Sequence, residues 1–340
     1  MITNLFWILL LTFLINFCVA NLFKLLKFYD YPEINKIHQV KTVLSGGISI
    51  IISLVLLKLT NQINLNDLSL IFKYSIVIFI IGFIDDKFKI SASVKFLLLV
   101  LALILIYNFS SLPLITYIGD YLPNGGNFGS KISVILTLSG VLLLINSYNY
   151  SDGIDSNCIL LFLNSIFILY FYNKFLNQSS PNTESFLSEL IYISFLITFI
   201  FIIFNRNLFF LPKIFLGDNG SLFLGFISAN ILIYLAENKI LDPNLLIWVN
   251  ALIVFDFFSV TLIRFINKKN VFKRDFNHIH LLIYRRTNNI YFSLIIVNII
   301  NLFFGFIGIL FFNNFGQLAS VIAYVATFII YTLLHKKFIN

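Results

Sequence analysis

Two adjacent carboxylates, Asp85 and Asp86, stand where the apolar stretch 68–84 ends. Neighbouring carboxylates repel each other, so both remain ionised only in water or near a cation. A cation-binding role is therefore one interpretation of this pair. The other is a polar helix end in which Lys87 and Lys89 neutralise the two acids.

A second acidic segment, 146–155, reads NSYNYSDGID and ends with Asp152 and Asp155. Residues three apart lie on one face of a helical turn, so these two carboxylates can converge. The loop contains no Lys or Arg, and Gly153 allows a close backbone turn. Carboxylate oxygens, together with the amide oxygen of Asn149, suit Mg²⁺ or Mn²⁺. A metal site is favoured here over the alternative, a turn rich in Asn and Asp that caps a helix.

Glycines flank a third acid, Asp218, in the segment FLGDNGS that precedes the apolar run 220–236. Backbone N–H groups at the start of a helix bind anions, and glycines allow a ligand to approach closely. An Asp at this position can hold a metal ion against a phosphate. Ordinary helix capping by Asp218 or Ser221 is the alternative.

Two histidines, His278 and His280, lie in the most basic loop of the chain, 264–290, which begins at Arg264. They can bind a metal or contact phosphate oxygens, and phosphate contact is favoured because oxygen-rich sites exist elsewhere. Basic loops also arise from membrane topology and lipid headgroups alone. Asp256 lies inside an apolar stretch, where a charge is costly, and is therefore predicted to be functional.

Acidic loops suited to a divalent ion and a basic loop with histidines together predict phosphoryl transfer. This chemistry depends on positioning and charge neutralisation more than on covalent intermediates. The elements that carry these loops must therefore bring them to one place.

The composition of the chain shows what those elements are. Of 340 residues, 59% are hydrophobic and 11% are charged, and the mean hydropathy is +0.94. Soluble domains are about half apolar and about one quarter charged, so a soluble enzyme, a disordered regulator and a fibrous protein are excluded. A spanning helix needs roughly 20 apolar residues, which predicts one all-α integral membrane domain, 1–340, with about eleven transmembrane helices (10–11). The predicted spans are residues 4–23, 43–60, 68–84, 96–113, 131–148, 157–174, 188–204, 220–236, 245–263, 291–312 and 317–335.

Basic residues are distributed unequally between the two sides of this arrangement. The predicted motif loops are 24–42, 85–95, 149–156, 205–219 and 264–290. Together with the C-terminal tail they contain 18 of the 23 Lys and Arg residues. The positive-inside rule places them in the cytoplasm, with a periplasmic N-terminus and a cytoplasmic C-terminus. The net charge of +8 then reflects topology, and no nucleic-acid partner is expected.

Taken in order, the motifs resemble those of the polyprenyl-phosphate N-acetylhexosamine-1-phosphate transferases (glycosyltransferase family 4), over roughly residues 24–285. The first loop reads DYPEINKIH at 30–38, followed by Gly46-Gly47, and is similar to the family pattern D-x-P-x-x-R-K-x-H with a later GG. The DD pair, N-x-x-N-x-x-D-G-x-D, the pair Phe204-Asn205, F-L-G-D-x-G-S and H-I-H follow. The H-I-H form resembles the branch that acts on UDP-N-acetylglucosamine and related sugars. The departures from the pattern are Asn35 for Arg, Val43 for Pro, Ser156 for Gly, Phe276 for Arg and Leu281 for His.

The resemblance implies an enzyme that transfers N-acetylhexosamine-1-phosphate from a UDP-N-acetylhexosamine to polyprenyl (undecaprenyl) phosphate and releases UMP. This reaction would start lipid-linked cell-envelope glycan synthesis at the cytoplasmic face of a bacterial inner membrane. The expected cofactor is Mg²⁺, with Mn²⁺ as an alternative, held by Asp218 and Asp155. The expected catalytic residues are Asp85, Asp86 and Asp152. The expected substrate-binding residues are Lys36, Asn149, Asn205, Arg264, His278 and His280. Membrane lipids are further expected partners, and a homodimer is compatible with this function.

Two other functions are compatible with parts of the sequence. Within the same chemistry, the alternative is the phospho-N-acetylmuramoyl-pentapeptide transferase of peptidoglycan synthesis. In a different class, the alternative is a membrane transporter or lipid flippase. Transporters place ionisable residues near the membrane midplane, whereas here these residues lie mainly at one predicted face.

Overall fold

The structure, a computed structural model, describes residues 2–32, 37–60, 68–122, 126–176, 181–270 and 276–339. Within these ranges the chain forms twelve α-helices and three short β-strands. The helices are α1 (Ile2–Leu25), α2 (Gly46–Leu59), α3 (Ser69–Phe88), α4 (Ala92–Phe109), α5 (Ser130–Ser151), α6 (Asn157–Phe175), α7 (Pro181–Asn205), α8 (Gly217–Glu237), α9 (Pro243–Leu246), α10 (Ala251–Ile266), α11 (Ile279–Thr287) and α12 (Ile290–Ile339). The strands are β1 (Tyr29–Asp30), β2 (Thr42–Leu44) and β3 (Ile214–Phe215).

Each predicted span overlaps a helix or half of one, but the span predicted at 245–263 is not a single helix, because a turn at 247–250 separates α9 from α10. Seven helices, namely α1, α4, α5, α6, α7, α8 and α12, are long and apolar enough to cross a membrane, and α2 is a shorter apolar helix. The span predicted at 68–84 is helix α3, and the one predicted at 188–204 lies within the longer α7. The protein is therefore a multi-pass membrane protein. The short helices α9 and α11 were not predicted.

The last helix, α12, folds back on itself at one residue. Gly316 has φ 81° and ψ −173°, which interrupts the helical backbone within the 50 residues of α12. A straight helix would separate Phe304 from Tyr331 by about 40 Å, yet their ring centroids are 6.3 Å apart. The two halves are therefore antiparallel neighbours. This agrees with the two spans predicted at 291–312 and 317–335, which are separated by the polar segment 313–317.

Helix α8 forms the centre of the bundle. It packs against α2, α3, α5 and α6, and 83% of its most apolar segment is buried inside the protein. A helix that is apolar on all sides is expected in this position. Close packing is visible at Gly225, where an added Cβ would lie 2.7 Å from the Cα of Ile145 in α5. The start of α8, which carries Asp218, is therefore held firmly by its neighbours.

A small sheet joins the first motif loop to the segment before α8. Strand β2 pairs antiparallel with β1 and parallel with β3, with Val43 opposite both Tyr29 and Ile214. The all-α prediction omitted this sheet because each strand has only two or three residues. Its effect is to place residues 42–47 beside residues 214–220. We call the end of the bundle where these segments meet the motif face.

Candidate active site

Glycines allow three motif segments to touch through their backbones. A Cβ added at Gly47 would lie 2.5 Å from the backbone nitrogen of Gly220, and one added at Gly82 would lie 2.5 Å from the Cα of Asn219. No side chain fits at either contact. The start of α2 and the end of α3 therefore both rest directly on the first turn of α8. This explains the Gly46-Gly47 pair and the glycine that precedes Asp85-Asp86.

Asp86 caps the N-terminus of α8. Its carboxylate accepts hydrogen bonds from the backbone nitrogens of Asp218 (2.9 Å) and Asn219 (3.0 Å), and from the side-chain amide of Asn219. The unpaired N–H groups of a helix start attract an anion. The sequence suggested that a phosphate would occupy this position. The structure places a carboxylate of the protein there, so these two N–H groups are not available to a ligand.

Lys95 joins residues from three motif segments. Its ammonium lies 2.9 Å from Asp85, forms a short ion pair with Asp218, and donates to the Asn149 amide oxygen at 3.4 Å. The amide nitrogen of Asn149 donates to the hydroxyl of Ser221 at 2.9 Å. The structure thus brings the predicted residues Asp85, Asn149 and Asp218 together around one cation, with Asp86 directly behind them.

Lys95 was not among the predicted site residues. A signal was available, because it is a lone cation in the first turn of α4, a helix that is otherwise free of charge. Such a cation needs a partner. The sequence does not show which partner, because Lys95 lies 123 positions from Asp218.

The pKa values of Asp85 and Asp86, which follow the predicted span 68–84, are raised above those of ordinary carboxyl groups. Burial, reinforced by the Asp218 carboxylate, raises the pKa of Asp85 to about 6 and the pKa of Asp86 to about 8. Lys95 opposes this shift at Asp85, and the N–H donors of residues 218 and 219 oppose it at Asp86. Of the two acids, Asp85 is the one that shares a cation with Asp218.

The two histidines form a second cluster at the motif face. His278 Nδ1 lies 2.7 Å from Asp256, and its ring stacks between Tyr150 and His280, with centroid distances of 5.1 Å and 6.0 Å. The guanidinium carbon of Arg264 lies 6.0 Å from the centroid of the Tyr150 ring, which is part of this stack. Arg264 and both histidines therefore lie in one region, and their contact with the donor pyrophosphate remains a prediction.

Gly153 links this cluster to the acidic loop 149–156. A Cβ added at Gly153 would lie 2.3 Å from Nε2 of His280, so the His280 ring rests directly on the loop. Burial, with the nearby His278, lowers the pKa of His280 to about 3, and the ring is therefore neutral at physiological pH. Asp152 ends α5 beside this glycine and is partly buried.

A third cluster surrounds Asp155. Its carboxylate lies 2.7 Å from Lys213 and 3.7 Å from Arg206. The structure therefore gives Asp155 cationic partners different from that of Asp218. In the described ranges, no group of three or more His, Cys, Asp or Glu side chains is placed to hold a metal ion. The expectation that Asp155 and Asp218 form a metal pair gains no support from these contacts.

The amide of Asn205 is used inside the protein. It accepts from the hydroxyl of Ser156 at 2.6 Å and donates to the Ile214 carbonyl at 2.8 Å, and the side chain is buried. These bonds connect α7, β3 and the start of α6. The expected contact of Asn205 with a nucleotide remains a prediction. Lys36 lies outside the described residues.

The geometry agrees with a comparison to known proteins. The sequence profile of glycosyl transferase family 4 matches residues 68–236, the region from α3 to α8 that contributes Asp85, Lys95, Asn149 and Asp218. The chain belongs to glycosyl transferase family 4. This match confirms the family expected from the motifs. The protein is therefore a phospho-sugar transferase.

Known proteins with similar sequences align with most of the length of this enzyme. It is 28% identical over 288 residues to the undecaprenyl-phosphate alpha-N-acetylglucosaminyl 1-phosphate transferase of Escherichia coli (strain K12), covering 83% of this chain and 76% of that protein. It is 28% identical over 265 residues to a probable undecaprenyl-phosphate N-acetylglucosaminyl 1-phosphate transferase of Bacillus subtilis (strain 168), covering 74% and 68%. It is 25% identical over 299 residues to the corresponding Yersinia pestis protein, covering 84% and 77%.

Proposed function

We propose that the protein transfers an N-acetylhexosamine-1-phosphate from a UDP-sugar to undecaprenyl phosphate. An oxygen of the acceptor phosphate attacks the sugar-bearing phosphorus, a new P–O–P bond forms, and UMP leaves with the bridging oxygen. The observation that carries the proposal is the convergence of Asp85, Asn149 and Asp218 on the Lys95 ammonium. The relatives named above support the same substrates.

Mg²⁺ is the proposed cofactor, and the residues at Lys95 fit it. Two carboxylates and one amide oxygen already converge on a cation there, and hard divalent ions prefer such oxygens. We assign Asp218 and Asp85 as the ligands in place of the expected pair Asp218 and Asp155, because Asp85 shares a cation with Asp218. When bound, the ion would neutralise the pyrophosphate of the donor.

The other site residues receive roles from their positions. Lys95 orients the acceptor phosphate, which is mostly ionised at neutral pH because its second pKa is about 6. Asp85 would act on this phosphate through the bound ion. Asp86 holds the start of α8 in place and needs no direct contact with substrate. His278, His280 and Arg264 contact the donor pyrophosphate. Asp152 remains a proposed catalytic residue.

The proposed location is the bacterial inner membrane, with the motif face in the cytoplasm. The excess of basic residues in the motif loops supports this orientation. Against the transporter alternative, the clusters around Lys95, Asp155 and His278 lie at the motif face.

A donor panel tests the proposal. Purified protein in detergent is incubated with undecaprenyl phosphate, Mg²⁺ and one of several UDP-sugars, and the lipid is analysed by mass spectrometry. UDP-N-acetylglucosamine or a related amino sugar should yield a lipid-pyrophosphate sugar. A product only with the muramoyl-pentapeptide donor would show the alternative transferase. No product with any donor, together with substrate movement across liposomes, would favour the transporter.

The metal assignment is tested by comparing three variants in the same assay. Asp218→Asn and Asp85→Asn should each lower turnover by about 100-fold or more and raise the Mg²⁺ concentration for half-maximal activity. Asp155→Asn should leave that concentration within about twofold of wild type, because Asp155 contacts Lys213 and Arg206. A raised Mg²⁺ requirement in Asp155→Asn alone would restore the original pair.

A further inference from the structure

We propose that Asp256 is a positioning residue that orients His278 toward the donor pyrophosphate, and that the last helix completes this device. The inference rests on the proposed function for the identity of the ligand. Its physical basis is separate and lies in α10, α11 and the second half of α12. None of these elements lies in the region matched by the family profile.

The carboxylate of Asp256 is surrounded by donors from two other elements. One oxygen lies 2.7 Å from His278 Nδ1, while the other accepts from the Ile279 backbone nitrogen and from the Tyr331 hydroxyl, both at 2.9 Å. His335 Nε2 lies 3.8 Å from the second oxygen and 2.7 Å from the carbonyl of Asn277. Only 8% of the Asp256 side chain is exposed. A buried carboxylate is costly unless it is fully paired, so this set of partners requires an explanation.

The Asp256 carboxylate sets the orientation of the His278 ring. The hydrogen bond that one ring nitrogen makes decides the orientation of the ring and the state of the other nitrogen. Here Nδ1 faces Asp256, which leaves Nε2 on the opposite side of the ring. Nε2 is buried and has no hydrogen-bond partner within the described part of the chain. Leaving such a group unpaired is unfavourable, and a phosphate oxygen of the donor would supply the missing partner.

The stack around His278 prevents other orientations. Tyr150 and His280 both stack on the ring, and His280 itself rests on Gly153. Rotation of the ring would therefore displace the acidic loop. Asp256 determines which ring nitrogen faces the carboxylate, and the stack holds the plane of the ring.

Helix α12 supplies the remaining clamp. Tyr331 and His335 are four residues apart, so they lie on the same helical face. The reversal at Gly316 brings this face back to the motif face. A segment that follows all the motifs in sequence thus becomes part of the support for the active site.

A double-mutant cycle tests the inference. Asp256→Asn and His278→Gln should each lower kcat/KM for the UDP-sugar by about 10- to 100-fold, the range seen when an orienting partner of a functional histidine is lost. KM for undecaprenyl phosphate should stay within about twofold. The variant carrying both changes should be no worse than His278→Gln alone, because Asp256 acts through His278. Losses that multiply in the double variant would overturn the inference while leaving the proposed function intact.

Two further variants protect the test against misfolding. Tyr331→Phe keeps the carboxylate but removes one donor, and it should give a smaller loss that also disappears in the His278→Gln background. Ser259→Ala is the matched control, because Ser259 bonds to Thr332 at 2.7 Å between the same two helices without touching His278. Its activity should stay within about twofold of wild type. An equal loss in Ser259→Ala would indicate a purely structural effect and would overturn the inference.

A measurement without substrate separates this inference from the proposed function. Hydrogen–deuterium exchange at the C2 carbon of histidine, read by mass spectrometry, proceeds through the protonated ring. At fixed pH, Asp256→Asn should slow exchange at His278 at least about twofold, whereas His38, which pairs with Asp30 at 3.5 Å, should not change. Slowed exchange in a protein that makes no lipid product would retain the Asp256–His278 pair but remove the proposed function. Unchanged exchange at His278 would overturn the inference itself.

Discussion

At the scale of single residues, charges at the motif face are paired across distant parts of the chain. Lys95 balances Asp85 and Asp218, while Lys213 and Arg206 balance Asp155. The acids predicted to bind metal therefore have different surroundings. At Asp218, oxygens from three segments surround the Lys95 ammonium. At Asp155, two cations surround one carboxylate.

Removal of the Lys95 charge should expose this difference. In Lys95→Gln, the Asp85 and Asp218 carboxylates lose the ammonium that they share, so Mn²⁺ should bind at least about tenfold more tightly. Turnover should nevertheless fall by about 100-fold, because the acceptor phosphate loses a cation. Titration of Mn²⁺ followed by electron paramagnetic resonance measures the affinity. Lys213→Gln is the control and should leave it unchanged, and a weaker affinity in Lys95→Gln would contradict the assignment.

Ser156 shows how a departure from the family pattern is accommodated. The family pattern has Gly at this position, and here Ser156 adopts φ 68° and ψ −3°, a left-handed conformation that favours Gly. The strain, about 1–2 kcal/mol, is offset by the hydrogen bond to Asn205, worth about 1 kcal/mol.

Substitution of Ser156 should therefore depend on the replacement. Ser156→Gly loses the hydrogen bond and relieves the strain, so its stability should stay within about 0.5 kcal/mol of wild type. Ser156→Ala loses the bond and keeps the strain, and should be less stable by about 1 kcal/mol. Thermal unfolding in detergent compares them. Equal midpoints for the Ala and Gly variants would show that backbone strain at this position has no influence.

At the scale of elements, the site depends on how closely α2, α3 and α8 approach one another. Gly47 and Gly82 allow this approach, and Asp86 then caps α8 from α3. A polar network lies deeper, where the hydroxyl of Tyr148 and that of Ser165 both donate to the Asn250 amide oxygen, at 2.9 Å and 2.7 Å. It holds α5 and α6 to the residue that precedes α10. Rigid packing beneath the motif face keeps the catalytic groups in register.

Widening the contact between α3 and α8 should impair activity. Gly82→Ala places a methyl group 2.5 Å from the Asn219 Cα, which should cost about 1–3 kcal/mol and shift the cap formed by Asp86. Gly140→Ala in α5 is the control, because the nearest atom to its Cβ is 3.8 Å away. Turnover and the unfolding midpoint should fall together in Gly82→Ala and remain near wild type in Gly140→Ala. A fully active Gly82→Ala enzyme would mean that α8 need not be held so closely.

At the scale of the whole molecule, the motif loops must lie on one side of the membrane for the clusters to form one site. The contacts of Lys95, Gly153 and the β2–β3 pairing do bring these loops to one end of the bundle. The side of the membrane that this end faces is a proposal. The 18 basic residues of the motif loops and tail predict that it is cytoplasmic.

Cysteine labelling in intact cells tests the orientation. Cys18 and Cys158 are both free thiols and are replaced first. An impermeant maleimide should then label a cysteine at Asn238, an exposed residue after α8, and should label one at Lys268 only after permeabilisation. The position Asn124, in the predicted periplasmic loop, lies outside the described residues and is less suitable. Labelling of Lys268→Cys from outside would show that the topology is inverted. The motif face would then have no access to cytoplasmic UDP-sugars.

The amino-acid sequence alone determined the membrane class, the family and the approximate places of the apolar helices. These properties are carried by contiguous residues, because a span needs only a run of apolar side chains and each motif is a short string such as FLGDNGS. The division of the last apolar region at 313–317 could be predicted for the same reason, since its length exceeds one membrane crossing. The His278 and His280 region was likewise visible as a local pattern.

Only the tertiary structure decided which charge meets which. Asp86 contacts the backbone of α8, Asp155 contacts Lys213 and Arg206, and Asp256 contacts His278. The partners are 132, 58 and 22 positions apart along the chain and are brought together by tertiary packing. Hydropathy reports that a helix is apolar but not its rotation or its neighbour. Side-chain pairing depends on both, which is why the partners of Lys95 could be identified only in the folded protein.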